Sequence, residues 1–285
     1  MTQASSAKAP VVESASAGLQ FLVMHWRRLL APALFLGVVC AGLFSTLGSD
    51  AALSSSPASA LAIQASYALA SLIALAPAYR LALRQQTGGL AGLQFGADEL
   101  RLILSQVAVV AIVMFIMFVA AFTLVLVAMA LAASSGASLE TIQGDPQALL
   151  AALGPMGGLL ISLLGVLAIA ALTAALIRFC LVQAAVIGER RIAVMAAARW
   201  TKGNVLRILA AYVLLGTPLF ILSSLLAALL KLATGVDPAD VRTWANAAPE
   251  ALAVAGLVWG SVTYLLMNVP IAGLSAYLYR GLRPL

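Results

Sequence analysis

The sequence predicts an all-α, polytopic integral membrane protein. Six transmembrane helices form three hairpins of the same orientation, with short cytoplasmic amphipathic helices before them. Three observations lead there. Of 285 residues, 63% are hydrophobic and 9% charged, whereas a soluble domain is about half apolar and a quarter charged; so much apolar surface requires lipid as its solvent. Six long runs carry no Asp, Glu, Lys, Arg or His: 29–49, 51–79, 102–139, 146–177, 208–230 and 251–279. Each reaches the roughly 20 residues that carry a helix across about 30 Å of hydrocarbon. The runs are continuously apolar rather than alternating, and a helix satisfies its own backbone hydrogen bonds in lipid, so helices are expected and a barrel is not.

Taken in chain order, residues 1–14 (MTQASSAKAPVVES) are polar, small and proline-containing, and are expected to form a disordered cytoplasmic N-terminus. The single transmembrane domain then occupies 15–285. His25, Trp26, Arg27 and Arg28 precede the first run in the manner of a signal peptide. That run exceeds the roughly 7–15 residues of a signal h-region and opens a polytopic chain, so it is read as an uncleaved first span. Gln64, Ser66, Tyr67 and Ser71 lie in span 2, Gln106 in span 3, Gln183 just after span 4 and Asn268 in span 6. Polar side chains in such places are expected to hydrogen-bond between helices. Met114 to Phe118 in span 3 reads as lipid-facing or packing surface. A small helix is expected from Pro146 to Leu153, and a turn over 234–249. Gly216-Thr217-Pro218 is expected to break span 5, and Asn268-Val269-Pro270 to break span 6; such breaks free backbone carbonyls. Gly256 and Gly260 form a GxxxG that lets helices approach closely. Cys40 and Cys180 have no metal or disulfide spacing and read as buried thiols.

Charge sets the expected topology. With the N-terminus on one side, that side receives Lys8, Arg27, Arg28, Arg80, Arg84, Arg101, Arg178, Arg190, Arg191, Arg199, Lys202, Arg207, Arg280 and Arg283. The other side receives only Lys231 and Arg242. An excess of Lys and Arg marks cytoplasmic loops, so both termini are expected in the cytoplasm. The segments outside the spans are too short for a folded soluble domain.

The charges also mark a repeat. The odd spans open with Arg28-Leu29-Leu30, Arg101-Leu102-Ile103 and Arg207-Ile208-Leu209, and the even spans close with Tyr79-Arg80, Ile177-Arg178 and Tyr279-Arg280. AGLQF occurs at 17–21 and again at 91–95. Three two-helix units invite comparison with mitochondrial carriers, but their signature, proline followed by an acid and then a base, is absent from the odd spans.

Intramembrane catalysis or ion coupling requires ionisable groups within the bilayer, and the six runs have none. No paired carboxylates, metal-ligand cluster, phosphate-binding glycine loop or activated nucleophile is visible. The expectation is therefore a protein without catalytic residues, metal or cofactor, and without nucleic acid as a partner.

The most basic stretch is GERRIAVMAAARWTKGNVLRIL at 188–209. Drawn as a helix over 190–202, it places Ile192, Ala193, Ala196 and Trp200 on one face, with Arg191, Arg199 and Lys202 on the adjoining flank. Such a helix lies in the headgroup boundary with its basic flank over anionic lipid. Arg190, Arg191, Arg199 and Lys202 are thus the candidate face for anionic lipid or a protein partner. Gly203 is expected to end the helix and Asn204 to cap the next. Arg178 and Glu189, three helical turns apart, suit an ion pair at the membrane edge.

The order Arg178, Glu189, then Thr201-Lys202-Gly203-Asn204 and Arg207-Ile208-Leu209 resembles the glycerophosphoryl diester phosphodiesterase membrane-domain family, bacterial membrane proteins of six helices. Here Ala197-Ala198 stand where that family usually has Ser-Trp, and Trp200 replaces a leucine. The resemblance implies the architecture and a bacterial inner-membrane location, and assigns no activity, since no phosphodiesterase domain is present. The expected role is a non-enzymatic scaffold or accessory subunit using its basic cytoplasmic face. The alternative is an uncoupled transporter or lipid-handling protein using the breaks at Pro218, Asn268 and Pro270.

Overall fold

The computed structural model describes residues 8–49, 57–86, 89, 92–134, 146–240, 243–244 and 247–283, and these are helical with short connections and no β-strand. The helices are α1 (Val11–His25), a 3₁₀ turn (Trp26–Leu29), α2 (Leu30–Ser49), α3 (Pro57–Arg84), α4 (Ala97–Ser134) and α5 (Pro146–Phe179). There follow α6 (Val182–Glu189), α7 (Val194–Trp200), α8 (Val205–Thr234), α9 (Pro249–Thr263), a π turn (Tyr264–Asn268) and α10 (Val269–Leu282). Six stretches are long and apolar enough to cross a membrane: Val11–Leu47, Gln64–Arg84, Ala97–Ser134, Leu153–Glu189, Val205–Thr234 and Pro249–Leu282.

Two expectations need correction. The N-terminal segment is helical from Val11, with Ser14 and Ala15 buried; residues 1–7 lie outside the described residues, so disorder does not describe 8–14. Span 5 is not broken, because α8 runs continuously through Pro218. Proline removes one backbone donor, but unwinding the turn in lipid would leave several more groups unsatisfied. Span 6 does change its winding. The π turn over Tyr264–Asn268 precedes α10, and Pro270 falls in the first turn of α10, where its missing N–H costs little.

The helices fall into two compact units, residues 1–106 with 180–285, and residues 107–179. In the first unit α2 lies against α9. A methyl carbon on Gly256 would fall 2.7 Å from the Ala41 Cα, and one on Gly260 would fall 2.7 Å from the Cys40 Sγ. The GxxxG therefore serves a contact within the chain. Across from it α1 packs on α8 and α10, and Phe21 sits against Gly273. Beyond α8 the chain turns through a small cluster in which Trp244 stacks on Phe44 at 4.0 Å, with Val236, Leu252 and Ala255 buried around them. Lys231 pairs with Asp237 at 3.3 Å, the Asp237 Oδ1 accepts the Ala239 N–H, and Trp244 Nε1 donates to the Asp237 carbonyl at 2.8 Å. The turn expected over 234–249 is thus present in its described residues, and 241–242 and 245–246 lie outside them.

The second unit comprises α4 from Val107 and α5. Met114, Phe115, Met117 and Phe118 are exposed, as a lipid-facing surface requires, and Phe118 stacks on Phe122. Gly154, at φ 60° and ψ −179°, interrupts α5 directly before Pro155. The stretch from Pro146 is therefore a small helix set off from the long apolar one.

Candidate functional site

The basic stretch is built from α6, α7 and the start of α8, all within the first unit. Arg190 ends α6 in the left-handed conformation, at φ 54°. The chain then turns through 191–193 into α7, which covers only Val194–Trp200. The helix expected over 190–202 is correspondingly shorter, and Arg191 lies outside it. Arg191 donates to Glu189 Oε2 through Nε at 2.9 Å and Nη2 at 2.7 Å.

The apolar face expected at the headgroup boundary divides in two. Ala193, Val194 and Ala197 are buried in the protein, and Trp200 packs at 5.6 Å on the ring of Tyr279 in α10. Ile192 and Met195 instead face outward, 53% and 65% exposed, and Leu206 on α8 is 79% exposed. Around them Arg190, Arg199, Lys202 and Arg207 are exposed. Each is without a side-chain hydrogen bond or ion pair among the described residues. Free cations interleaved with exposed apolar side chains suit a surface that meets phosphate headgroups and acyl chains together.

Tyr279 holds this loop in place. It is buried, its hydroxyl donates to Glu189 Oε1 at 3.4 Å, and it accepts from Arg283 Nη1 at 3.4 Å. One ring thereby joins the ends of α6, α7 and α10. The family-like motif is likewise architectural. Thr201 is fully buried and donates to the Ala198 carbonyl, and Gly203 turns the chain at φ 82°. Asn204 precedes α8 without capping it. Its Oδ1 accepts the Ala9 N–H at 2.9 Å, tying the N-terminal segment to the basic loop. Arg178 stands in the last turn of α5, in the other unit, where a cation complements the helix dipole.

Sequence reasoning missed a second cluster. Arg80, 3% exposed, is ion-paired to Glu99, 1% exposed. Asp98 receives Arg84 at 2.8 Å and Arg101 at 3.2 Å, and Arg84 also donates to the Ile187 carbonyl. Glu99 Oε2 accepts the Gly96 N–H and so closes the first turn of α4. The signal was present: Arg80 and Arg84 share one face of a helix at i, i+4, and Asp98-Glu99 is the only acid pair on the basic side. This cluster ties the end of α3 to the first turn of α4 and to the end of α6.

The polar residues of the spans behave in part as expected. Tyr79 donates to Gln183 Oε1 at 3.1 Å, and Gln183 Nε2 donates to Gln106 Oε1 at 3.4 Å, joining α3, α6 and α4. Ser66 instead bonds within its own helix, to the Ala62 carbonyl. Tyr264, in the π turn, donates to the Ala74 carbonyl at 2.6 Å. Cys40 is buried, Cys180 is partly buried, and both are free thiols. Outside the spans, the Ala239 N–H above all holds the Asp237 carboxyl below the usual carboxylate range, against the opposing effect of burial and with a further lowering by Lys231. No group of three His, Cys, Asp or Glu among the described residues could hold a metal.

Comparison with protein-family models, curated proteins and solved structures yields no match, so the family resemblance rests on the residues of 178–209 alone.

Proposed function

We propose that this protein is a non-enzymatic scaffold or accessory subunit of a bacterial inner membrane. Its basic cytoplasmic face engages anionic phospholipid. The observation that carries the reading is the surface of Arg190, Arg199, Lys202 and Arg207, unpaired among the described residues and interleaved with exposed Ile192, Met195 and Leu206. Each Lys or Arg near an anionic surface contributes on the order of 1 kcal/mol. Both termini lie in the cytoplasm in this reading, on the side that holds 14 of the 16 basic residues. The continuity of α8 through Pro218 removes half of the support for a transport path through spans 5 and 6.

Affinity purification in a gentle detergent, with mass spectrometry of bound lipids and proteins, tests the proposal. Reversing Arg190, Arg199 and Lys202 to glutamate should deplete anionic lipid while insertion is retained. Unchanged lipid in the variant, or loss of one protein partner with lipid unaffected, would count against it.

A further inference from the structure

The first unit contains two adjoining cavities away from the 188–209 loop. One, about 560 Å³, lies between α1 and the ends of α3 and α10 and is lined by His25, Arg28 and Arg280. The other, about 590 Å³, is lined by Arg27, Arg28, Leu30, Ala31 and Leu34. Arg28 and Gln85 line both, so the two form one groove. Among the described residues no Asp or Glu lines either cavity.

From these residues we infer that the groove is a discrete binding site for one anionic phospholipid. Its phosphodiester sits between Arg28 and Arg280, and an acyl chain descends along α2. Arg280 is fixed in place, because its Nη2 donates to the Ala82 carbonyl at 2.5 Å at the end of α3. That bond leaves other guanidinium donors for a ligand. The His25 ring is held by a contact of its Nδ1 with the Phe21 carbonyl at 3.1 Å. Arg28 is exposed and has no side-chain hydrogen bond or ion pair among the described residues. A groove with an unpaired guanidinium and no acid among its lining residues calls for an anion.

The apolar wall distinguishes a lipid from a free phosphate. The second cavity opens along Leu30 and Leu34, which are 39% and 52% exposed on the membrane-crossing helix α2. An inorganic anion makes no use of such a wall, whereas an acyl chain does.

The inference deepens the proposed engagement of anionic lipid, and it is tested with different residues. The probe is native mass spectrometry of the full chain in detergent with phosphatidylglycerol, phosphatidylcholine or inorganic phosphate added. The wild type should keep one phosphatidylglycerol and release phosphatidylcholine. Arg28→Gln should lower that occupancy about fivefold, the share of one interfacial cation. Ala31→Trp, which fills the apolar end and leaves the cations, should lower it as well. The triple reversal of Arg190, Arg199 and Lys202 should leave the single bound lipid in place. Equal retention by Arg28→Gln and wild type, equal retention of the two lipids, or displacement by millimolar phosphate would each overturn the site. None of these outcomes bears on the headgroup composition of the loosely held lipid, which tests the 188–209 surface.

Discussion

Arg80 near the end of α3 and Glu99 in the first turn of α4 form an ion pair from which water is almost wholly excluded. Two buried charges stabilise one another only while both are present. Arg80→Leu or Glu99→Leu alone should therefore lower unfolding stability by about 3–5 kcal/mol, and the double replacement should lower it by less. Unfolding in mixed micelles, arranged as a double-mutant cycle, measures the difference. Additive losses would show that the pair acts as two separate groups.

The α2–α9 contact depends on bare backbone. Gly256→Leu places its Cβ where the Ala41 backbone already lies, and should destabilise by about 1–3 kcal/mol or more. Pro218→Ala restores a backbone donor in a helix that is already continuous, and should not destabilise the protein. The two variants, compared in the same unfolding assay, separate tight packing from helix breaking.

Tyr279 joins three elements, so its loss should reach beyond its own volume. Tyr279→Ala should cost about 3–5 kcal/mol, as large buried side chains do. Tyr279→Phe removes only the hydroxyl shared with Glu189 and Arg283, and should cost about 1 kcal/mol. Protease sensitivity of the 188–204 loop should rise in Tyr279→Ala and not in Tyr279→Phe.

The turn after α8 should loosen in acid. The Asp237 carboxyl titrates below its ordinary value, near 3.9, because its charged form accepts the Ala239 N–H and pairs with Lys231. Its contribution is complete above the unfolded value and is lost as the pH falls through the lower, folded one. Fluorescence of Trp244 in a chain with Trp26, Trp200 and Trp259 replaced by Phe reports the turn. The acid transition should vanish in Asp237→Asn.

Hydropathy made the spans legible because lipid imposes one rule on every residue of a crossing helix. The position of the basic loop was legible for the same reason, since Arg and Lys are excluded from hydrocarbon. The partners were not. Glu99 and Arg80 lie 19 residues apart in the sequence, and only the structure shows that the end of α3 and the first turn of α4 bring them together, paired and buried. Likewise nothing local told that Ala193 and Trp200 would turn inward while Ile192 and Met195 stay outside. Both arrangements give helical periodicity, and the choice is made by Tyr279, roughly 80 residues away. Pro218 misled because proline rules from soluble helices overstate breakage where no water can take up the freed carbonyls. Asn204 had the residue type of a helix cap, yet its acceptor went to Ala9, a long-range bond that no local motif encodes.

The engagement of anionic lipid by the 188–209 surface is tested most directly by headgroup analysis of the phospholipid retained through gentle-detergent purification. The anionic fraction is compared with that of the source membrane. Enrichment is predicted for the wild type, weakening from about 0.1 to 1 M salt as the screening length falls from about 10 to 3 Å. In the variant with Arg190, Arg199 and Lys202 reversed to glutamate, the fraction should fall toward that of the membrane, the lipid in the Arg28–Arg280 groove being its remaining excess. A wild type with no enrichment, or a variant as enriched as the wild type, would contradict the account.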